Sequence, residues 1–450
     1  MSTSTPAPPT NRPLERDAGS RDPGTCTSLK STNGGGSTPQ HVPAHVPPAG
    51  ATRHARGFWI VAGIFAVTIA FAAAPAPLYV IYQREQGFGA FAVTLIFAAY
   101  ALGVALSLYL AGHVSDVFGR RRIIVPAVLL NLVAAAVFLV QHDLGWLLAA
   151  RFVSGLGVGM LTATATAYLT DLHRIARPGA APTLAAAVGT AANIGGIGLG
   201  PLVAGFLAQY LPAPLTITYL VFAIAMLLGA VALVAVPETV APAARWRYRP
   251  QRVAVPPEAR VDFWSAGMVA FVAFAMFGFF TSLAPSFLAG TLHQTSHAVA
   301  GLVTFGVFGT AAVAQILTGG WATARLFRVG LAALPVGLGV LLAAILAGSF
   351  PLLVAAGVTV GIGAGIGFRA AVGTVIAIAP AHSRGEALAG LFLVGYLGLS
   401  LPVLLLGILL QLVPTDPAMI AFGMLMLGLL AVAVVLLRAG GRRRGRLAMA

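Results

Sequence analysis

Twelve runs of about 20 mostly apolar residues, separated by short polar turns, occupy most of this chain and constrain it more than any other feature. They fall at roughly 57–82, 90–111, 122–140, 145–169, 184–209, 215–236, 263–289, 297–318, 329–347, 351–378, 386–411 and 419–438. Each is long enough to cross a hydrocarbon core about 30 Å thick as a helix. The composition agrees: only 9% of residues are charged, against about 25% in an ordinary soluble domain. A mean hydropathy of +0.91 and 58% hydrophobic residues leave too little polar surface to face water. The expected fold class is an all-α polytopic membrane protein with twelve transmembrane helices.

The arginines test that assignment. The formal charge of +15 could suggest a nucleic-acid partner, but the basic residues lie scattered between apolar runs. Arg120 to Arg122, Arg174, Arg177, Arg325, Arg328 and Arg384 fall in even-numbered turns, while the odd-numbered turns hold only Arg84. Basic residues accumulate on the cytoplasmic side. Both termini are therefore expected in the cytoplasm, in a multi-pass protein of the inner (plasma) membrane. A missed span would invert the alternation, and no inversion occurs.

The longest polar interruption, 240–262, carries Arg245, Arg247, Arg249, Arg252 and Arg260. The expected organisation is a disordered cytoplasmic tail at 1–56, a six-helix bundle at 57–239 and a cytoplasmic loop at 240–262. A second bundle at 263–438 and a basic cytoplasmic tail at 439–450 follow. The tail at 1–56 is rich in Pro, Ser, Thr and Gly and reads as disordered rather than as a signal peptide. It holds Cys26, the only cysteine, which excludes an intrachain disulfide. Its nearest approach to a phosphate loop, Gly24 to Lys30-Ser31, has Leu29 where a glycine is required, so direct drive by ATP is unsupported.

The two halves repeat each other. A shift of 208 residues carries Pro77 to Pro285, Gln86 to Gln294, Phe97 to Phe305, Gly112 to Gly320 and Arg120 to Arg328. Two similar bundles imply a site between them near the midplane, reached alternately from each side.

The strongest local signal is Gly112-His113-Val114-Ser115-Asp116-Val117-Phe118-Gly119-Arg120-Arg121-Arg122 between the second and third runs. It resembles the signature loop of the major facilitator superfamily, departing from it at Val117, where that family often carries a basic residue. The resemblance implies a gate built on Gly112, Asp116, Gly119, Arg120 and Arg121. Asp116 would meet an arginine and the N-terminus of span eleven in one transport state and part from them in the other. Arg151 followed by Gly155, Gly157 and Gly159 is similar to a second motif of the family. Gly196, Gly198, Gly200, Pro201 and Gly205 resemble the Gly-Pro helix-bend motif of its drug exporters, with Ala204 replacing one glycine. Gly398 and Pro402 form a counterpart in span eleven, and Pro237-Glu238-Thr239 at the end of span six is also familiar from the family. The resemblance covers about residues 57–440.

The spans contain no Asp, Glu or His well inside the membrane, yet two arginines, Arg151 and Arg369, are embedded. A buried charge needs a partner. Candidates are helix carbonyls, Asn131, Asn193, Gln315 or the substrate. The expected cavity residues are Arg369, Arg151, Asn193, Gln315 and Tyr100, and the expected substrate is a neutral or anionic organic compound rather than a cation. The expected function is an exporter working by alternating access, not an enzyme, with the lipid bilayer, a small-molecule substrate and a proton gradient as partners. No cofactor, metal or ATP is expected. An importer or symporter on the same scaffold, and a non-transporting sensor or assembly protein, are the alternatives.

Overall fold

The computed structural model describes residues 49–111, 114–240, 255–380 and 383–447. Gly112, the tail with Cys26, and Arg245, Arg247, Arg249 and Arg252 lie outside the described residues, as do the side chains of Arg442, Arg443, Arg444 and Arg446. Among the described residues, twelve helices are long and apolar enough to cross a membrane. In chain order, spans 1 to 6 are Ala51–Ala73, Ala90–Leu110, Arg120–Val140, Leu144–Ala176, Thr183–Tyr210 and Pro214–Leu233. Spans 7 to 12 are Pro257–Ser282, His297–Leu317, Thr323–Leu346, Phe350–Ile378, Arg384–Leu412 and Thr415–Ala439. No strand occurs among the described residues.

Several boundaries differ from the sequence expectation: span 4 runs on to Ala176, and spans 9 and 12 start earlier, at Thr323 and Thr415. The run at 57–82 is not one helix: span 1 stops at Ala73, passes through a turn at 74–78 and resumes as Tyr79–Gln86. Pro75 and Pro77 have no N–H to continue the ladder. The Ala76 N–H bonds to the Ala73 carbonyl at 3.1 Å, which leaves the Ala72 carbonyl without its helical partner. The second half repeats the interruption, since span 7 ends at Ser282 and a short helix, Ala284–Gly290, restarts around Pro285. Span 7 also begins earlier than position 263. Pro257 opens a 3-10 turn that leads into the α-helix at Arg260, and Glu258 and Asp262 place negative charge at its N-terminal end.

Span 5 contains a π-helical turn, Ala191–Gly195, directly before Gly196. Such a wide turn redirects the side chains that follow it. Pro201 lies inside the same span and Pro402 inside span 11.

Buried apolar residues gather in three clusters. The first is drawn from residues 58–236; the other two come mainly from residues 263–433, joined by Phe97 and Ala101 of span 2. The halves meet along two seams, span 2 against span 11 and span 5 against span 8. The second seam is tight: a methyl group on Gly301 would run into the Pro201 carbonyl, and one on Gly205 into the His297 carbonyl. Hydrogen bonds among the described residues tie the halves at the end away from the arginine turns. Ser286 Oγ donates to Gln83 Oε1 at 2.7 Å, and the His297 N–H donates to Gln209 Oε1 at 2.9 Å.

Candidate functional site

At the arginine-bearing end, the loop around Asp116 is organised by a residue that sequence reasoning left without a role. Gly119 has φ +105, a conformation open to glycine and strained for other residues, and span 3 starts immediately after it. The first N–H groups of a helix have no internal partner. Glu238 supplies one: its Oε1 accepts from the Arg120 N–H at 2.8 Å and its Oε2 from the Arg121 N–H at 3.0 Å. Glu238 Oε1 also accepts from the Thr239 N–H at 3.0 Å. A Cβ on residue 119 would lie 2.6 Å from Glu238 Oε2, so the glycine also makes room for the carboxylate.

The Arg121 guanidinium donates to the carbonyls of Val234 and Val236 at 3.0 and 3.2 Å. Tyr168 of span 4 donates to the Pro237 carbonyl at 2.6 Å. The ends of spans 3, 4 and 6 are thereby joined.

Arg120 carries the ionic part of the loop. It pairs with Asp116, donates to Ser115 Oγ at 2.9 Å and reaches Asp171 Oδ2 at 3.3 Å. Asp171 also pairs with Arg174 at 3.4 Å. Asp116 is 59% exposed, and all of these partners belong to the first half.

The second feature is a cavity of about 100 Å³ between the halves, lined by spans 1, 2, 4, 5, 7, 8, 10 and 11. Three of the residues expected there line it: Arg151, Asn193 and Tyr100. Arg151 is 2% exposed and does not reach for the membrane surface. Its Nη1 donates to the Ala72 carbonyl that the proline break leaves free, and its Nη2 donates to Tyr79 Oη at 2.6 Å. The guanidinium also lies over the rings of Tyr79, Tyr100 and Phe138 at 5.5 to 5.9 Å. Its Nε has no hydrogen-bond partner. Asn193 sits in the π-helical turn of span 5.

Much of the remaining wall is aromatic, and sequence reasoning missed it. Phe274, Phe277, Phe308, Phe368, Phe392 and Tyr396 come from the second half, with Phe97 from the first. A phenylalanine in an apolar span carries no sign of whether it faces lipid or a cavity.

Two expected cavity residues are elsewhere. Arg369 and Gln315 are not among the lining residues. Arg369 donates instead to the carbonyls of Gln315 and Gly319 at 2.8 and 3.0 Å, at the C-terminal end of span 8. The last carbonyls of a helix lack intrahelical partners and carry partial negative charge. They act as the counter-charge that the sequence does not supply as a carboxylate. The helix-bend residues lie on the packing faces of span 5: Gly196 approaches Ile69, Gly200 approaches the Ala70 carbonyl, and Pro201 and Gly205 meet span 8.

The profile of the Major Facilitator Superfamily matches residues 58–293, just over half of the chain. The chain belongs to this superfamily. It is a multi-pass membrane protein of a transporter family. A bacterial homologue of the human lysosomal transporter Spinster, in an inward-facing and unoccupied conformation, superposes with a TM-score of 0.63 at 16% identity. The match covers 86% of this chain and 96% of that one. The same homologue in an inward-facing, occupied conformation gives a TM-score of 0.60 at 17% identity, over 86% and 95% of the two chains.

Matches to superfamily relatives by sequence are short. An arabinose-proton symporter from Bacillus subtilis is 34% identical over 77 residues, 17% of each chain. A transporter of the acurin A biosynthesis cluster from Aspergillus aculeatus is 30% identical over 114 residues, 25% of this chain and 20% of that one. This chain thus aligns with about a fifth or less of the length of these two relatives.

Proposed function

We propose that this chain exports a small neutral or anionic organic compound across the plasma membrane by alternating access. The six-span halves at 57–239 and 263–438 rock about the central cavity, with both termini and the arginine turns in the cytoplasm. The end tied by Gln83, Ser286, Gln209 and His297 is then the outer end. In this state Asp116 is held by Arg120 and is ready to engage span 11 when the inner end closes.

The observation that carries the substrate class is the cavity wall. Arg151 places a permanent positive charge beside the cavity, and no Asp, Glu or His is among the lining residues. A lipophilic cation would meet repulsion there with no compensating carboxylate, whereas a carboxylate or a polar acceptor would find a donor. Export draws on the Gly-Pro pattern of span 5. Uptake coupled to protons is the second reading, favoured by the short stretch shared with the arabinose-proton symporter.

A panel of labelled organic anions, neutral compounds and cations, offered to everted vesicles with and without a proton gradient, tests the proposal. Accumulation of an anion or neutral compound, with Arg151→Leu losing most of it and Arg151→Lys keeping part, is the expected result. Accumulation of cations alone, unchanged in Arg151→Leu, contradicts it.

A further inference from the structure

A second hollow lies on the outside of the seam between spans 2, 4 and 11. Its volume is about 590 Å³. It exists because its wall is built from small residues: Ala98, Ala99, Ala105 and Ala149 stand where larger side chains would fill it. Leu102 and Leu397 at its rim are 61% and 50% exposed. These residues fall in the middle of spans 2 and 11, at the depth where the surroundings are hydrocarbon.

Tyr396 lines both this groove and the central cavity. Span 2 is divided the same way by helical periodicity: Phe97 and Tyr100 face the cavity, and Ala98, Ala99 and Leu102 face the groove. A single layer of side chains thus separates the two spaces. One edge of it is fixed, because Gly103 and Gly155 press the backbones of spans 2 and 4 together; a methyl on either would strike the other helix's carbonyl. The other edge is span 11, which belongs to the opposite half and packs against span 2.

The volumes bear on how the cavity fills. At about 100 Å³ the central cavity is below the ~300–1,000 Å³ of ordinary small-molecule sites. The adjoining groove is within that range. The cavity is also two-sided: Arg151, Asn193 and Tyr100 come from the first half, and most of the aromatic rings come from the second.

We infer that the groove takes the hydrocarbon chain of an amphiphile dissolved in the bilayer and passes it beyond Tyr396 into the central cavity. The cargo is then a membrane-partitioned amphiphile, its polar head directed to Arg151 and its apolar body laid on the aromatic wall. The identity of the cargo rests on the transport reading above; entry of the chain does not.

The probe is palmitate carrying a photoreactive diazirine in its chain, added to phosphatidylcholine vesicles that contain the full-length protein. After illumination, labelled residues are mapped by peptide mass spectrometry. Label is expected on cavity residues such as Phe277 and Phe392, as well as on lipid-facing Leu228. Ala98→Phe, or Ala105→Phe should the first variant melt early, fills the groove. It should lower the cavity label several-fold and leave the Leu228 label unchanged. Label confined to lipid-facing positions, or cavity label that neither groove-filling variant reduces, overturns the inference. The labelling needs no transport, so the two readings fail separately. A protein that labels its cavity but moves no compound contradicts the transport proposal, and one that transports without cavity label contradicts only entry through the groove.

Discussion

Replacing Glu238 by Gln isolates what its carboxylate does for the loop around Asp116. The two oxygens accept the first N–H groups of span 3, from Arg120 at 2.8 Å and Arg121 at 3.0 Å. An amide keeps one oxygen and presents an NH₂ group in place of the other. Whichever way it turns, one of the two backbone donors faces another donor. One hydrogen bond to a charged group is lost, about 1.5–3 kcal/mol. The negative charge at the helix N-terminus is lost as well, about 0.3–1 kcal/mol. Together these give a destabilisation of about 2–4 kcal/mol, enough to lower the melting temperature by several degrees.

Gly119→Ala attacks the same contact from the other side, since its Cβ would lie 2.6 Å from Glu238 Oε2 at a φ of +105. Groups that share one contact do not contribute independently. The double variant should therefore lose less than the sum of the two single losses. The assay is thermal unfolding of the purified protein in detergent. A Glu238→Gln protein that melts with the wild type, or a double variant whose losses simply add, refutes the capping role.

Asp116→Asn should behave differently. Its pair with Arg120 is exposed and contributes only about 0–1 kcal/mol, so melting should hardly change while transport in everted vesicles slows. Normal transport by the well-expressed variant rejects Asp116 as part of the gate. Arg369→Leu removes hydrogen bonds to two carbonyls, each about 1.5–3 kcal/mol, and relieves an insertion cost of about 2.5–3.5 kcal/mol, leaving a net loss of about 0–3 kcal/mol. It should melt earlier yet still transport, with Arg369→Lys between it and the wild type in melting. Unchanged melting with transport abolished would return Arg369 to a role in substrate binding.

The spans were readable because bilayer thickness and apolar composition dictate them: the expected run at 351–378 became Phe350–Ile378, and 90–111 became Ala90–Leu110. The break at 74–78 was hidden because Pro75 and Pro77 sit within an apolar run, and hydropathy does not register a missing N–H. Arg151, Asn193 and Tyr100 were found as rare polar groups in apolar surroundings, and they do converge on one cavity. The same logic expected Arg369 in that cavity, where it is not among the lining residues. Its partners are the backbone carbonyls of Gln315 and Gly319, and every residue has a carbonyl. Glu238 stood in a recognisable Pro-Glu-Thr sequence, but its role depends on backbone N–H groups 118 and 117 positions away. The aromatic wall gave no signal, since phenylalanine suits lipid and cavity alike.

Alternating access about the central cavity requires the end tied by Gln83 and Ser286 to part in every cycle. Cys26 is the only cysteine, so Cys26→Ser gives a clean background for Gln83→Cys with Ser286→Cys, replacing side chains that now touch at 2.7 Å. The double variant is bridged with a short, reducible bis-methanethiosulfonate, and transport of an identified substrate is measured in everted vesicles before bridging, after it, and after reduction. Transport that stops on bridging and returns on reduction is the predicted result. Transport that continues at its normal rate in fully bridged protein contradicts the rocking of the two halves.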